Sequence, residues 1–347
     1  MRWWKVTFEF IGNCLERKGA IMTERIKRML FFAKSRKRTK TPAFFVKAFR
    51  NQGIEVKTIN YRKLERLWGK WFTRKYILST FSRFQPQLVF INTRDIPLEI
   101  LTQISGKTKV AIYLPDLITL SDNTYLPGVN TPYKEEMIER GRLADFFFIT
   151  NQGQIPFLKE QGIRNPIFIT QGCDKEEHRI ITTNNPKWKS EVAFIGSVKD
   201  EARTKLLREV DRRFDLKVWG GDWGRYGFRC LKKDIYPHEF AKICFGAKIM
   251  LGIDITDEVE LYFSNRTWIT LGCGGFLLTR YVPGLERIFV NRKHLVWYRS
   301  IEECLRLISE YLKKDEERKK ISEEGYRFVH ENHTYDHVAK RILEAIG

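Results

Sequence analysis

The chain has 347 residues, 43% hydrophobic and 14% aromatic, and carries a formal net charge of +20. This length predicts about two domains, and the apolar content excludes an intrinsically disordered or fibrous chain. The charge predicts an anionic partner, such as nucleic acid, an acidic membrane or a phosphorylated substrate. Residues 1–50 carry +11 and residues 51–100 carry +5, so we expect the amino-terminal part to meet the anion.

The six cysteines form no CxxC pair and no Cys/His cluster with zinc-ligand spacing, which predicts a reduced, cytoplasmic protein without a metal site. No run approaches the 18 or so apolar residues of a membrane span. Charged residues interrupt the first 22 residues, so no signal peptide is expected. Residues 1–27 are predicted to form a loosely attached extension, because the regular pattern begins only near Met29.

From Met29 onward, short apolar runs alternate with amphipathic stretches. The runs are Met29–Ala33, Ile54–Ile59, Leu88–Asn92, Val110–Leu114, Phe146–Thr150, Ile167–Thr170, Val192–Ile195, Leu216–Trp219, Ile249–Ile253 and Phe276–Thr279. Helices are predicted between them, for example over Thr41–Gln52, where Thr41 can cap and Pro42 suits the first turn. Such alternation predicts parallel sheets with crossover helices.

The rhythm stops in a polar stretch over residues 172–190, where we place the domain boundary. We therefore predict an α/β protein with two Rossmann-like, doubly wound domains, 28–175 on the acceptor side and 190–335 on the donor side. Residues 336–347 form a helix that can cross back to the first domain. Two such domains facing a cleft suit an enzyme that holds a nucleotide in one and an acceptor in the other. A periplasmic-type binding protein shares this outline, but the uneven charge argues against it.

The stretch 262–289 is the most informative part of the sequence. Ser264 can cap a helix whose first turn carries Asn265 and Arg266, a suitable group for a diphosphate. Gly274 and Gly275 then lead into an apolar run, so the backbone can approach a ligand closely there. The alternative is a glycine C-cap followed by a buried strand.

This stretch resembles the CgeB-like (spore maturation protein) glycosyltransferases over about residues 190–347. The matching residues are Arg266, Trp268, Cys273, Gly274, Pro283, Gly284, Leu285, Glu286, His333, Thr334 and Tyr335. The resemblance implies a GT-B fold and a nucleotide sugar, of the UDP-sugar type, as co-substrate. It also implies metal-independent transfer without a tightly bound cofactor.

Several donor contacts follow from the resemblance. Many relatives carry a Glu where this chain has Ile269, so either Glu260 or Glu258 substitutes for it, or backbone alone holds the ribose. Further contacts are expected from the loops after two strands, which contain Gly196, Ser197, Trp219 and Gly220. The indole of Trp219 could stack on a base. Ordinary structural turns are an equal alternative for these loops.

Two carboxylates follow apolar runs of the first half and are candidates for the catalytic base. Asp116 is favoured over Asp95, and either could take a proton from an acceptor hydroxyl. The alternative role for each is that of a helix N-cap.

Basic residues cluster in two parts of the first half and are candidates for binding a polyanionic acceptor. They are Lys34, Arg36, Lys37, Arg38 and Lys40, followed by Lys70, Arg74 and Lys75. The second group is interleaved with Trp68 and Trp71, whose rings could stack on bases, enter a lipid interface or simply face the core. For the first group, plain solvation is the alternative.

We therefore hypothesise a glycosyltransferase that moves a sugar from a nucleotide sugar to an anionic acceptor. Hydroxymethylated bases in phage-type DNA are slightly favoured as the acceptor, because the first basic cluster lacks aromatic residues. The alternative acceptor is a membrane glycolipid or cell-surface polymer, which would place the protein at the periphery of the inner membrane. A second alternative, favoured by Ile269, is a non-catalytic nucleic-acid-binding protein on a decayed transferase scaffold.

Overall fold

The structure is a computed structural model that describes residues 25–34, 40–118, 131–197, 201–221 and 223–347. It contains two parallel sheets. Residues 1–24 of the predicted extension lie outside the described residues, and so do Arg36, Lys37 and Arg38.

The first sheet has six strands in the order β2-β1-β3-β4-β5-β6, and all neighbouring pairs are parallel. Its strands are β1 (Arg28–Phe32), β2 (Glu55–Ile59), β3 (Leu88–Asn92), β4 (Lys109–Leu114), β5 (Phe146–Ile149) and β6 (Pro166–Phe168). Its helices are α1 (Thr41–Asn51), α2 (Tyr61–Phe84), α3 (Leu98–Ile104), α4 (Thr131–Leu143) and α5 (Ile155–Glu160).

The second sheet has five strands in the order β11-β10-β9-β7-β8, again all parallel. Its strands are β7 (Ser190–Ile195), β8 (Leu216–Trp219), β9 (Ala247–Gly252), β10 (Leu277–Arg280) and β11 (Val296–Tyr298). Its helices are α6 (Glu201–Asp211), α7 (Pro237–Gly246), α8 (Arg266–Gly272), α9 (Ile301–Leu312) and α10 (Asp315–Asn332), and α11 (Tyr335–Ile346) ends the chain.

Central strands are apolar on both faces because helices cover both sides of each sheet. In β3 the residues Leu88, Val89, Phe90 and Ile91 are fully buried, and they are shared between two separate clusters on opposite faces of the sheet. The prediction of two Rossmann-like parallel-sheet domains is confirmed. Strand β11 was missed, because its three residues follow a polar turn and give too short a pattern.

Among the described residues, backbone hydrogen bonds join the domains at two places. At the first, the Cys173 N–H donates to the His333 carbonyl (3.0 Å) and the Tyr335 N–H donates to the Cys173 carbonyl (2.9 Å). At the second, the Gln152 and Gly153 N–H groups both donate to the Glu260 carbonyl. Because Gln152 follows β5 and Glu260 follows β9, the carboxyl ends of the two sheets meet at this point.

None of the helices in the described residues is both long enough and apolar enough to cross a bilayer. Within the same residues, five cysteines are present as free thiols: Cys173, Cys230, Cys244, Cys273 and Cys304.

Candidate active site

Two glycine-containing turns pack against each other at the carboxyl edge of the second sheet. The Gly196 N–H, just after β7, donates to the Trp219 carbonyl at the end of β8 (2.8 Å). Gly220 and Gly221 have φ of 78° and 82°, which favours glycine at both positions. A Cβ added to Gly221 would lie 2.7 Å from Ser197 Cα. The turns can therefore approach this closely because Gly221 has no side chain at its contact with Ser197.

The guanidinium group of Arg266 spans the ends of β7 and β9 beside these turns. It donates to the Ile195 carbonyl (3.0 Å), the Ile253 carbonyl (3.1 Å) and Ser264 Oγ (2.8 Å). A Cβ on Gly196 would lie 2.0 Å from Arg266 Nη1, so glycine there makes room for the arginine. Its side chain stays 28% exposed, which leaves part of the group open to a ligand at the cleft.

Arg203 is a second cation of this site, and the sequence analysis missed it. It is 2% exposed and donates to the Ser197 carbonyl (2.7 Å) and to the same Ile253 carbonyl as Arg266 (3.0 Å). Burial lowers the pKa of Arg266 to about 10, Asp254 opposes this shift, and the charge of Arg203 adds to it. Two arginines converging on one carbonyl form a positive site suited to a diphosphate. The sequence signal that could have indicated Arg203 is its position as a basic residue in the first turn of the helix that follows Gly196.

The side chain of Asp254 is an acidic neighbour of Arg266. It is buried, accepts a hydrogen bond from the Ser264 N–H (2.9 Å) and lies 3.9 Å from Arg266 Nη2. Burial raises the pKa of Asp254, while the nearby Arg266 opposes that rise. Asp254 thus stabilises the position of Arg266 and also offsets part of its charge.

Asn265, a predicted donor contact, precedes α8. Its side-chain amide donates to the Tyr335 hydroxyl (3.3 Å), which in turn donates to Thr41 Oγ1 at the start of α1 (3.5 Å). The Asn265 Oδ1 atom is buried and has no hydrogen-bond partner among the described residues. This chain of polar groups links Arg266 and its neighbours to the first domain.

The structure corrects the expectation for Trp219. Its indole is fully buried and stacks on Trp188, with 5.2 Å between ring centroids, so it cannot stack on a base. Trp219 faces the core because strand alternation turns it inward, whereas its carbonyl stays at the edge and binds the Gly196 N–H.

Gly274 and Gly275 also lie away from the candidate site. They end α8 and precede β10, so they are at the amino ends of the strands, opposite Gly196 and Gly220. The Gly274 N–H donates to the Leu271 carbonyl and Gly274 has a φ of 73°, as in a helix C-cap. The alternative of a C-cap followed by a buried strand describes this segment.

Glu260 pairs with Arg287 through its carboxylate, and its backbone carbonyl joins the domains. Its carboxylate is therefore already engaged where a ribose contact was expected. Ile269 packs against the core cluster of the second domain.

Asp116 is exposed at the end of β4, whereas Asp95 is buried after β3. Asp95 accepts from the Lys34 N–H (2.7 Å) and lies 3.4 Å from Arg62 Nε, so it fixes the loop after β1. Next to Asp116, Leu117 packs with Tyr262 of the second domain. Burial raises the pKa of Tyr262, and Asp254 and Asp116 add to the rise. Tyr262 therefore packs beside the residue that follows Asp116, and sequence reasoning missed it.

The basic candidates fall on two surfaces of the first domain. Lys34 and Lys40 are exposed at the two ends of the undescribed segment 35–39, beside the carboxyl edge. In α2, Lys70 is exposed, Arg74 pairs with Glu99 (2.6 Å) and Lys75 lies over the Trp71 ring (5.1 Å). The structure thus does not bring the α2 residues to the arginine site. Among the described residues, no group of His, Cys, Asp or Glu side chains could hold a metal ion.

Residues 203–344 match a family model described as "Glycosyl transferase-like". The carboxyl-terminal domain is glycosyltransferase-like. The match includes Arg203, Arg266 and the helices that follow, so the prediction of a glycosyltransferase is confirmed at the level of this domain. No curated protein matches the chain.

Solved glycosyltransferase structures share the fold over most of the chain. The HepE protein of Anabaena, solved with UDP and glucose, has a TM-score of 0.65 at 11% identity, covering 92% of this chain and 99% of its own. Sucrose-phosphate synthase of Thermosynechococcus elongatus has 0.67 at 10% identity, covering 92% and 98%. An alpha-glucosyltransferase, solved with UDP-glucose and DNA containing an abasic site, has 0.61 at 11% identity, covering 93% and 100%. The predicted GT-B arrangement of two domains is thereby confirmed.

Proposed function

We propose that the protein is a glycosyltransferase that uses a nucleotide sugar of the UDP-sugar type. The observation that carries this proposal is the convergence of Arg203 and Arg266 beside the turns at Gly196 and Gly220. It is supported by the glycosyltransferase-like domain and by structures of the same fold that hold UDP or UDP-glucose. The narrower CgeB-like assignment stays a prediction.

The proposed reaction assigns a role to each of these charged groups. An acceptor hydroxyl gives its proton to the Asp116 carboxylate while its oxygen forms a bond to the anomeric carbon. The bond from that carbon to the diphosphate oxygen breaks, and the nucleoside diphosphate leaves with the electron pair. Arg266 and Arg203 stabilise the negative charge of the leaving group. The acceptor enters from the first domain, because Asp116 lies there.

For the acceptor, two proposals differ in the surface that they require. Hydroxymethylated DNA is supported by the positive charge of the first hundred residues and by the fold similarity to a transferase solved with DNA. A membrane glycolipid is supported by the aromatic side chains that α2 exposes. The described residues favour the second, because the exposed side chains of Leu67 and Phe72 have neither a charge nor a hydrogen-bond donor for a phosphate backbone.

Donor binding is tested by melting the protein with UDP, ADP, GDP and a panel of nucleotide sugars. At a concentration a hundred times its Kd, a ligand stabilises by about 2.7 kcal/mol, so UDP compounds should raise the Tm by several degrees. Arg266→Lys should lose most of that rise, since it replaces the planar fork by a point charge. The exposed control Arg213→Lys should keep it. A protein that no nucleotide stabilises would instead be the non-catalytic binding protein.

Transfer is tested by incubating the protein with pooled nucleotide sugars and either hydroxymethylated duplex DNA or a lipid extract. The mass of the recovered acceptor is then measured. A hexose-sized gain in the lipid fraction supports the glycolipid proposal, and a gain on DNA nucleosides supports the DNA proposal. No gain on either acceptor, with UDP bound, would contradict both.

A further inference from the structure

Helix α2 is interrupted at Gly69, where φ is 76° and ψ is 167°. Every residue from Arg66 to Phe72 around this break is exposed. A helix that packs against a domain buries a residue at every third or fourth position, and α2 does so further along, at Thr73 and Ile77. A run of seven exposed residues therefore means that the segment around the break stands clear of its own domain.

This segment is apolar as well as exposed. The exposed fractions are 60% for Leu67, 49% for Trp68, 63% for Trp71, 62% for Phe72 and 40% for Tyr76. The rings contact each other edge to face, Trp71 with Phe72 at 4.6 Å and Trp68 with Tyr76 at 5.6 Å. Five large, exposed apolar side chains next to one another indicate an interaction surface, because most apolar residues on a protein surface occur singly.

The same helix is strongly basic, with seven Lys and Arg residues and one acidic residue, Glu65. Two of the seven are neutralised within the fold, Arg62 by Asp95 and Arg74 by Glu99. The other five form no ion pair in the described part of the chain, and four of them lie at or before Tyr76: Lys63, Arg66, Lys70 and Lys75. They flank the apolar segment on both sides of the break.

We propose that the α2 surface, residues Lys63–Tyr76, docks the protein onto an anionic lipid bilayer. The apolar side chains enter the interface between headgroups and acyl chains, and the four unpaired cations contact the anionic headgroups. A second copy of this chain is not the occupant, because two such surfaces repel each other. Nucleic acid would use the cations and the rings, but it gains nothing from Leu67.

The position of the surface connects it with the cleft. Helix α2 begins at Tyr61, directly after the carboxyl end of β2, and Arg62 contacts Asp95 of the loop after β3. A bilayer against α2 would thus lie beside the acceptor side of the cleft. The docking itself goes beyond the proposed function, because it needs neither donor nor transfer.

Docking is tested by sedimenting the full chain with phosphatidylcholine vesicles, with and without phosphatidylglycerol. We expect binding to the anionic vesicles that weakens as salt rises. Lys70→Glu with Lys75→Glu should lower the partition coefficient at least about 25-fold, since each cation at such a surface contributes about fivefold. Trp71→Ser with Phe72→Ser should lower it at least about tenfold.

Matched controls separate the surface from net charge and from general hydrophobicity. Lys319→Glu with Lys320→Glu makes the same charge change on α10 and should keep most of the binding. Phe245→Ser with Val290→Ser removes two apolar residues exposed at 46% and 53% and should do the same. Equal Tm values show that all four variants fold.

Two results would overturn the proposal. One is a wild-type protein that does not sediment with anionic vesicles at low salt. The other is an α2 variant that binds vesicles as the wild type does but loses its affinity for duplex DNA, which would assign the surface to nucleic acid.

Discussion

Position 196 requires glycine, because the guanidinium group of Arg266 occupies the space that a Cβ would need. The arginine is in turn held by two backbone carbonyls and Ser264, so its position is determined by the ends of β7 and β9. No property of the isolated Gly-Ser dipeptide indicates this, because the partner is 70 residues away in the sequence. The site depends on preorganised backbone as much as on charged side chains.

Gly196→Ala should therefore displace Arg266 and weaken UDP binding. The loss of one charge-assisted hydrogen bond costs about 1.5 to 3 kcal/mol, so the Kd measured by calorimetry should rise at least about tenfold. Gly224→Ala is the matched control, since nothing lies within 4 Å of a Cβ added there. If Gly196→Ala bound UDP with the wild-type Kd, Arg266 would not contact the diphosphate.

The two candidate bases should respond differently to loss of charge. Asp116→Asn should leave the Kd for UDP unchanged and lower the transfer rate at least about 100-fold, the usual contribution of a general base. Asp95→Asn should instead lower the Tm, because its buried carboxylate accepts the Lys34 N–H and contacts Arg62. Full activity of Asp116→Asn would assign the base to another residue.

At the scale of elements, the carboxyl-terminal helix α11 belongs to the core of the first domain. Val338, Ala339, Ile342 and Ile346 lie in one buried cluster with residues of β1 and α1. The residues before it form the connection itself: His333 stacks on Trp268 with 4.6 Å between ring centroids, and the Tyr335 ring packs on Phe45 at 5.1 Å. The His333-Thr334-Tyr335 motif thus holds the two domains together.

Ile342→Ala should destabilise the first domain although it alters the last helix of the chain. Ile342 is fully buried, and such truncations cost about 2 to 5 kcal/mol in the free energy of unfolding. Urea unfolding measures this loss. Glu344→Ala, at an exposed position of the same helix, should cost less than about 0.5 kcal/mol. Equal effects of the two variants would show that α11 does not support the core.

Over the whole molecule, the sequence predicts strands well and contacts between distant loops poorly. Leu88–Asn92 and Leu216–Trp219 were predicted with the bounds that the structure has, because buried parallel strands are short apolar runs between turns. Trp219 was misassigned because periodicity locates a strand but does not say which neighbour covers each face. Arg203 and Tyr262 were missed because their roles exist only once the sheets have brought separate turns together.

The junction of the domains also predicts how stability depends on pH. Three buried histidines near it accept hydrogen bonds at Nδ1: His178 from the Asp174 N–H, His294 from the Val290 N–H and His333 from Arg341. Burial lowers the pKa of His178 and His294 to about 4, and burial together with the charge of Arg341 lowers that of His333 to about 2. All three thus remain neutral in the folded protein at pH 5.

In the unfolded chain each histidine takes up a proton near pH 6.5, so acidification favours unfolding. Below pH 6.5 the free energy of unfolding should fall by up to about 1.4 kcal/mol per pH unit for each histidine. Urea unfolding at pH 7, 6 and 5 measures this slope. His333→Gln should reduce it by about 1.4 kcal/mol per unit, whatever its effect at pH 7, whereas His238→Gln, at an exposed position, should not change it. A wild-type slope in His333→Gln would mean that His333 is protonated in the folded junction, and the contact with Arg341 could then not form as described.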